Sequence, residues 1–252
     1  MKSLGTVDRI WLASALAFAT ASTAHATTVS PMVIDLQTTG RGVTANISVH
    51  NTGDKPMTME VKPRALDVTD TGLIPGNGDT DDLLVMPPSA LITPGSTLSF
   101  RVQWIGDPAA TASHHYFVGI DQLPVKLPEG QSAVQIVYNF DVLVNVGPTN
   151  GKAALAIKST RIVDKDGKPA PAITVSNTGT TYGYMSQHKL RLVESDASGK
   201  SMFDKTYSGN DFEQLVGYGI VATGQTRTMV LPVELPSRGG TLSATLLDEH
   251  AQ

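Results

Sequence analysis

Apolar and polar residues alternate along much of this chain, and the clearest alternation is AVQIVYNFDVLVNVGP, from Ala133 to Pro148. Val134, Ile136, Tyr138, Phe140, Val142, Val144 and Val146 take every even position, while Gln135, Val137, Asn139, Asp141, Leu143 and Asn145 take the odd ones. A period of two marks a strand with one buried face. The pattern predicts a strand over 134–146, longer than the usual range of about 3 to 10 residues. Shorter patterns of the same kind predict strands near 29–36, 44–51, 57–68, 83–86, 98–105 and 116–123. After 150 they fall near 153–163, 172–176, 188–195, 202–207, 226–231 and 242–247. No window carries a sustained helical period, and Pro or Gly interrupts most windows long enough to hold one.

The pattern also repeats. Ile47-Ser-Val-His-Asn-Thr-Gly53 matches Ile173-Thr-Val-Ser-Asn-Thr-Gly179 at all but two positions. At nearly the same offset, Thr93-Pro-Gly-Ser-Thr-Leu-Ser-Phe-Arg-Val102 is followed by a counterpart, Thr223-Gly-Gln-Thr-Arg-Thr-Met-Val230. Two matched pairs at one spacing point to two copies of one domain. About seven short strands per ~110 residues is the pattern of an immunoglobulin-like sandwich. The expected fold class is therefore all-β, two immunoglobulin-like β-sandwich domains in tandem. The turn residues Gly147-Pro148-Thr149-Asn150-Gly151 place the boundary so that the domains are 27–147 and 148–252.

Residues 1–26 carry Lys2 and Arg9, an apolar run from Ile10 to about Ala21, and Ala24-His25-Ala26. This is the layout of a secretory signal peptide removed after Ala26. The run falls short of the ~20 residues that a spanning helix needs, and no later stretch is long and apolar enough, so the mature chain has no membrane span. With Lys2, Asp8 and Arg9 removed, the net charge moves from −4 to −5, which argues against nucleic-acid binding. The chain has no cysteine, so each exported domain must be held by its own core.

Catalytic and metal motifs are sparse. Asp70-Thr71-Gly72 spells an aspartic-protease triplet, but it occurs once and reads as a turn. Adjacent His114 and His115 point to opposite faces of a strand and do not share a metal. Gly76-Asn77-Gly78 with Asp79, Asp81 and Asp82 lacks calcium-loop spacing. No Gly-x-Ser-x-Gly elbow is present. The chain is read as a non-enzyme without cofactor or metal, and the apolar strand makes its function a question of interaction.

Taken with the order of its strands, the mature chain resembles the periplasmic chaperones of the chaperone–usher pilus-assembly pathway. The resemblance rests on the N-terminal strand 27–36, the Asn-Thr-Gly turn, and the segment Met86-Pro-Pro-Ser-Ala-Leu-Ile-Thr-Pro-Gly-Ser-Thr-Leu-Ser-Phe-Arg-Val102. It also rests on Tyr116-Phe-Val-Gly-Ile-Asp-Gln-Leu-Pro-Val125, which is similar to the family's sixth strand, and on the alternating strand that follows in the seventh place. The resemblance implies that this strand is lent to an incomplete pilin or fimbrial subunit, with Val134, Ile136, Tyr138 and Phe140 filling its groove. It implies delivery to an outer-membrane usher, and a protein that is monomeric when free and 1:1 with its subunit. Relatives hold the subunit's C-terminal carboxylate with an arginine in the first strand and a lysine late in the seventh. Here the first strand has no basic residue and the late position is Leu143. Arg101 and Lys152 are the anchor candidates, with His114 and His115 the other basic groups. The short connection 126–133 and the absence of cysteine suggest a divergent, archaic-type branch. An exported structural or adhesive subunit or carbohydrate-binding module is the alternative, and a periplasmic hydrolase is a more distant one.

Overall fold

Among the described residues the first half of the chain holds ten strands, most of them built on alternating β-branched and aromatic residues, in the order β1 (Thr28–Ser30), β2 (Val33–Gln37), β3 (Thr44–His50), β4 (Met57–Val68), β5 (Leu73–Asp79), β6 (Leu83–Met86), β7 (Ser89–Ile92), β8 (Thr97–Trp104), β9 (His114–Gln122) and β10 (Asn139–Gly147). The computed structural model describes residues 27–124 and 136–248. The expected leader 1–26, the connection 126–133 and Val134 therefore lie outside the described residues. One sheet runs β1-β3-β8-β6; the facing sheet runs β2-β10-β9-β4-β5, with β7 also paired to β4. Ile47, Val49, Phe100 and Val102 of the first sheet meet Val118, Ile120, Val142, Val144 and Val146 of the second, all without solvent exposure. Burial of each such side chain contributes about 1.5–3 kcal/mol relative to leaving it in water.

The second half holds β11 (Leu155–Lys165), β12 (Lys168–Asn177), β13 (Gly183–Tyr184), β14 (His188–Ser195), β15 (Ser201–Tyr207), helix α1 (Gly209–Val216), β16 (Ile220–Val221), β17 (Thr226–Val230) and β18 (Thr241–Asp248). Sheets β11-β12-β17 and β15-β14-β18 and the ribbon β13-β16 surround a second core that includes Ile173, Val175, Leu190, Leu192, Phe212 and Leu231. The fold is two immunoglobulin-like β-sandwiches in tandem.

The internal repeat has a structural cause. Asn51 is buried, donates through Nδ2 to the carbonyls of Lys55 and Ile92, and accepts from the Gly53 N–H. Asn177, equally buried, donates to Thr181 and Val221 and accepts from Gly179 and Ala154. Each asparagine thus closes its own turn and ties it to a distant strand, saturating its amide where water cannot. The second repeat pair completes the arrangement. Asn51 N–H donates to Ser96 in one sandwich and Asn177 N–H donates to Gln225 in the other, so the two repeated segments meet within each domain.

The structure departs from the sequence pattern in several places, the short ribbon β13-β16 among them. The expected first strand, 29–36, is split at Pro31, which has no N–H for a ladder. β1 pairs with β3 in one sheet, and β2 then pairs with β10 in the other. Strands β5 and β7 lie in turn-rich sequence that carried no alternation. Helix α1 was not expected, because eight residues are too few to show a period. Its cap is nevertheless written locally: the Ser208 hydroxyl accepts from the Asp211 N–H, the Asp211 carboxylate accepts from the Ser208 N–H, and Gly217 ends it at φ 78°. Finally, the strand expected over 134–146 spans Asn139–Gly147, because its partner β9 ends at Gln122, opposite Tyr138.

Candidate functional site

Strand β10 has two different neighbourhoods. From Asn139 to Val146 it pairs antiparallel with β9, Asn139 opposite Asp121 and Val146 opposite His114. On its other side β2 runs parallel, but only from Leu143 opposite Val33 to Gly147 opposite Gln37. The Gln122 N–H donates to the Tyr138 carbonyl at 2.8 Å, so even residues turn their backbone groups toward β9 and odd residues turn theirs to the other edge. Leu143 does this to Met32, at 3.0 Å, and is the first odd residue to find a partner there. Asn139 and Asp141 face that same edge with no strand beside them among the described residues.

The side chains divide at the same point. Val142, Val144 and Val146 are wholly inside the core. Phe140 is half-buried against its rim and stacks on Tyr138, ring centroids 6.3 Å apart. Before them Ile136 is 74% exposed and Val137 42% exposed. Of the four expected groove-filling residues, Ile136, Tyr138 and Phe140 are thus a contiguous run at the free end of β10, and Val134 is outside the described residues. On the outer face Asp141 pairs with Arg64 of β4, whose side chain crosses over Gly119; a Cβ there would lie 3.2 Å from the Arg64 Nη2.

The other half of β10 faces the second domain. Val68, Tyr184, Ile220 and Ala222, with Val33, Leu73 and Tyr182, form an apolar cluster between the sandwiches. The Asp70-Thr71-Gly72 tripeptide is the turn between β4 and β5, closed by Thr69 and Gly72, and the Asp70 carbonyl accepts from Thr228 N–H at 2.7 Å. At the end of β10, Gly147 lets Thr181 approach so closely that a Cβ would fall 2.3 Å from its hydroxyl oxygen.

A chain of polar groups crosses this interface. Ser113 Oγ lies 2.8 Å from Thr223 Oγ1 and 3.3 Å from His115 Nε2. His115 Nδ1 is 2.6 Å from Asn145 Oδ1, Asn145 Nδ2 donates to the Tyr184 hydroxyl at 2.6 Å, and Tyr184 donates to Asp35 Oδ1 at 2.5 Å. Tyr182 donates to the same oxygen at 2.8 Å. Because Asn145 spends its amide on Tyr184, its carbonyl must accept, which makes His115 Nδ1 the protonated nitrogen and Nε2 the acceptor. Burial holds the His115 imidazole below its ordinary pKa, so the neutral ring this chain requires is favoured. The Tyr182 and Tyr184 hydroxyls are pushed far above the ordinary phenol range, first by burial and then by the Asp35 charge.

The expected basic anchors do not gather at β10. Arg101 lies on β8, in the opposite sheet, with its side chain on the solvent face. Lys152 is exposed beyond the end of β10, its N–H bonded to Thr180 Oγ1 at 3.0 Å. His114 packs against Trp104 at 5.5 Å, and His115 belongs to the interface. Leu143, 7% exposed, sits opposite Val33, at the late position where the resemblance implied a lysine. Two residues along β2, on the same face, Asp35 stands opposite Asn145, so an acid lies close to the place expected for a base. Asp35, Asn145, Tyr182 and Tyr184 were not singled out from the sequence. Their one local signal is the aromatic pair flanking Gly183, which says nothing about its partners. Among the described residues no three histidine or acidic side chains converge as a metal site, and no helix is long and apolar enough to cross a membrane.

No family profile matches the chain, and no curated protein matches its sequence. Solved structures do resemble it. The class 5 fimbriae chaperone CfaA is 13% identical, over 88% of this chain and 99% of its own, with a TM-score of 0.52. A structure from the chaperone–tip adhesin complex of CFA/I fimbriae biogenesis is 13% identical over 90% of this chain and 96% of that one, with a TM-score of 0.52. That of the Salmonella enterica SafA pilin in complex with the SafB chaperone is 16% identical over 84% and 86%, with a TM-score of 0.50. The chain has the two-sandwich fold of these pilus chaperones.

Proposed function

We propose that this protein is a non-enzymatic periplasmic chaperone that lends the free end of β10 to an incomplete pilin or fimbrial subunit and hands it to an outer-membrane usher. One observation carries the proposal: among the described residues the edge of β10 is unpaired over Asn139–Val142, and apolar Ile136, Tyr138 and Phe140 lie in line with it. An unpaired edge offers backbone hydrogen bonds, and alternating side chains offer pocket contacts; together these are strand addition. The fold shared with chaperones solved alongside a pilin or a tip adhesin supports the same reading. If each of three apolar side chains gains about 1.5–3 kcal/mol on burial, the complex is held by several kcal/mol after ordering costs.

The test is periplasmic co-purification of a co-expressed pilin-like subunit with wild-type protein and with the double variant Ile136→Asp, Tyr138→Asp. Capture is expected to be lost while the thermal transition of the free variant stays put. Undiminished capture would refute the lent strand. Arg101 and Lys152 remain candidate contacts for the subunit's C-terminal carboxylate; Arg101→Ala and Lys152→Ala, measured in the same assay, each read a loss of capture without loss of fold if that role is theirs.

A further inference from the structure

The free edge of β10 and strand β2 lie on the same side of β10, so a partner strand laid along Asn139–Val142 runs end-on toward Met32 and Val33. Two residues beyond Val33, on the outer face and at the mouth of the interdomain cleft, stands Asp35. Resting on the strand-lending reading, we propose that Asp35 is the contact for a cationic side chain, lysine or arginine, carried near the end of the bound partner strand, and that this cleft selects its partner by positive charge.

Three observations support the assignment. First, the carboxylate is fixed in place: Tyr182 and Tyr184 both donate to Oδ1. With His115 protonated on Nδ1, the whole series from Thr223 through Ser113, His115, Asn145 and Tyr184 orients its donors toward Asp35. Aligned donors of this kind polarise one another and hold the carboxylate in one orientation. Second, the charge is uncompensated: Asp35 makes no ion pair among the described residues, and Oδ2 carries no hydrogen bond among them. Third, the adjoining cavity of about 470 Å³ is polar but lacks a cation. Beside Asp35 its walls include Gln37, Thr149, Thr181, Tyr182 and Gln187, and among the described residues no lysine or arginine lines it. An exposed anion held in a cation-free cleft attracts a lysine or arginine and repels a terminal carboxylate.

The proposal is tested by nuclear magnetic resonance titration of the ¹⁵N-labelled protein with ethylguanidinium, with n-butylammonium and with propionate, each at constant ionic strength. The cations are expected to give saturable shifts at the Gly147, Thr181 and Tyr182 amides, and propionate none. The stronger of the two cations tells an arginine partner from a lysine partner. Asp35→Asn should abolish the response. Tyr182→Phe, which keeps the carboxylate and one phenol, should keep it within about threefold, and it carries the test if Asp35→Asn disturbs the interface. A response to propionate, a cation response surviving in Asp35→Asn, or no response to either cation would each overturn the assignment. The Ile136→Asp, Tyr138→Asp variant should titrate like wild type, so failure of the lent strand and failure of the cation contact are read separately.

Discussion

Residues 139–142 and 143–147 are halves of one strand with one alternation, yet they lead different structural lives. The second half has β9 on one side and β2 on the other, and its outer face is covered by the second domain. Among the described residues the first half has β9 alone. Its inward residues pass from fully buried Val142 to half-buried Phe140, and beyond the strand to 74% exposed Ile136. Period two reports which residues share a face and is silent about what lies beside the strand. A free edge is a liability unless it is managed. Here Asn139 and the Arg64–Asp141 pair put polar groups along it, which discourages indiscriminate pairing while leaving the inward apolar positions intact. The pair itself is part-exposed, so its own contribution to stability is small, about 0–1 kcal/mol.

The contrast can be broken most severely in the second half. Val144→Asp places an unpaired charge in the core and is expected to cost ~4 kcal/mol or more, with loss of the cooperative urea transition. Asn145→Leu keeps the strand but deprives buried His115 and Tyr184 of their shared partner. A loss of about 1–3 kcal/mol by urea denaturation is expected, and a neutral result would mean that the polar chain does not hold the domains.

Acid should act on the same half. His115 has a folded pKa below its unfolded value near 6.5, so stability is full above about pH 6.5 and falls as the pH drops through the window beneath it. The slope is at most about 1.4 kcal/mol per pH unit for one proton. Melting curves of wild type and His115→Asn between pH 7.5 and about pH 5 check this; the variant should lose that part of the slope. The smallest effect on stability belongs to the first half. Ile136→Asp should change the unfolding free energy by no more than about 0.5 kcal/mol. A larger loss would show that Ile136 belongs to the core, and the two halves would then be less distinct than their surroundings suggest.

Much of the fold could be read from local pattern, and the reasons are specific. Ile47–Gly53 and Ile173–Gly179 look alike because each needs an asparagine to close a turn and reach a distant strand, so the repeat disclosed two domains. The missed elements are those whose signals were short or absent. Helix α1 has a complete capping box but fewer than three turns, while β5 and β7 have strand conformation imposed by β4 alongside them. The segment proposed to be lent was legible as an apolar run. Its beginning was not, because strand ends depend on the reach of β9 and β2. Arg101 was legible by its place after a Pro-Gly turn, but its surroundings were not: its strand lies in the sheet opposite β10.

The sequence by itself determined the all-β class, the twofold repetition, and which side chains of β10 point the same way, since alternation and turn chemistry act between near neighbours in the chain. The tertiary structure alone decided which part of β10 is left unpaired, because β2 comes from the other end of the domain and reaches only as far as Leu143. It also brought Asp35, Asn145 and His115 against tyrosines of the second domain. Charge, burial and hydrogen bonding at that junction are properties of surfaces in contact, and residues as far apart in the chain as Asp35 and Tyr184 acquire them only when the two sandwiches meet.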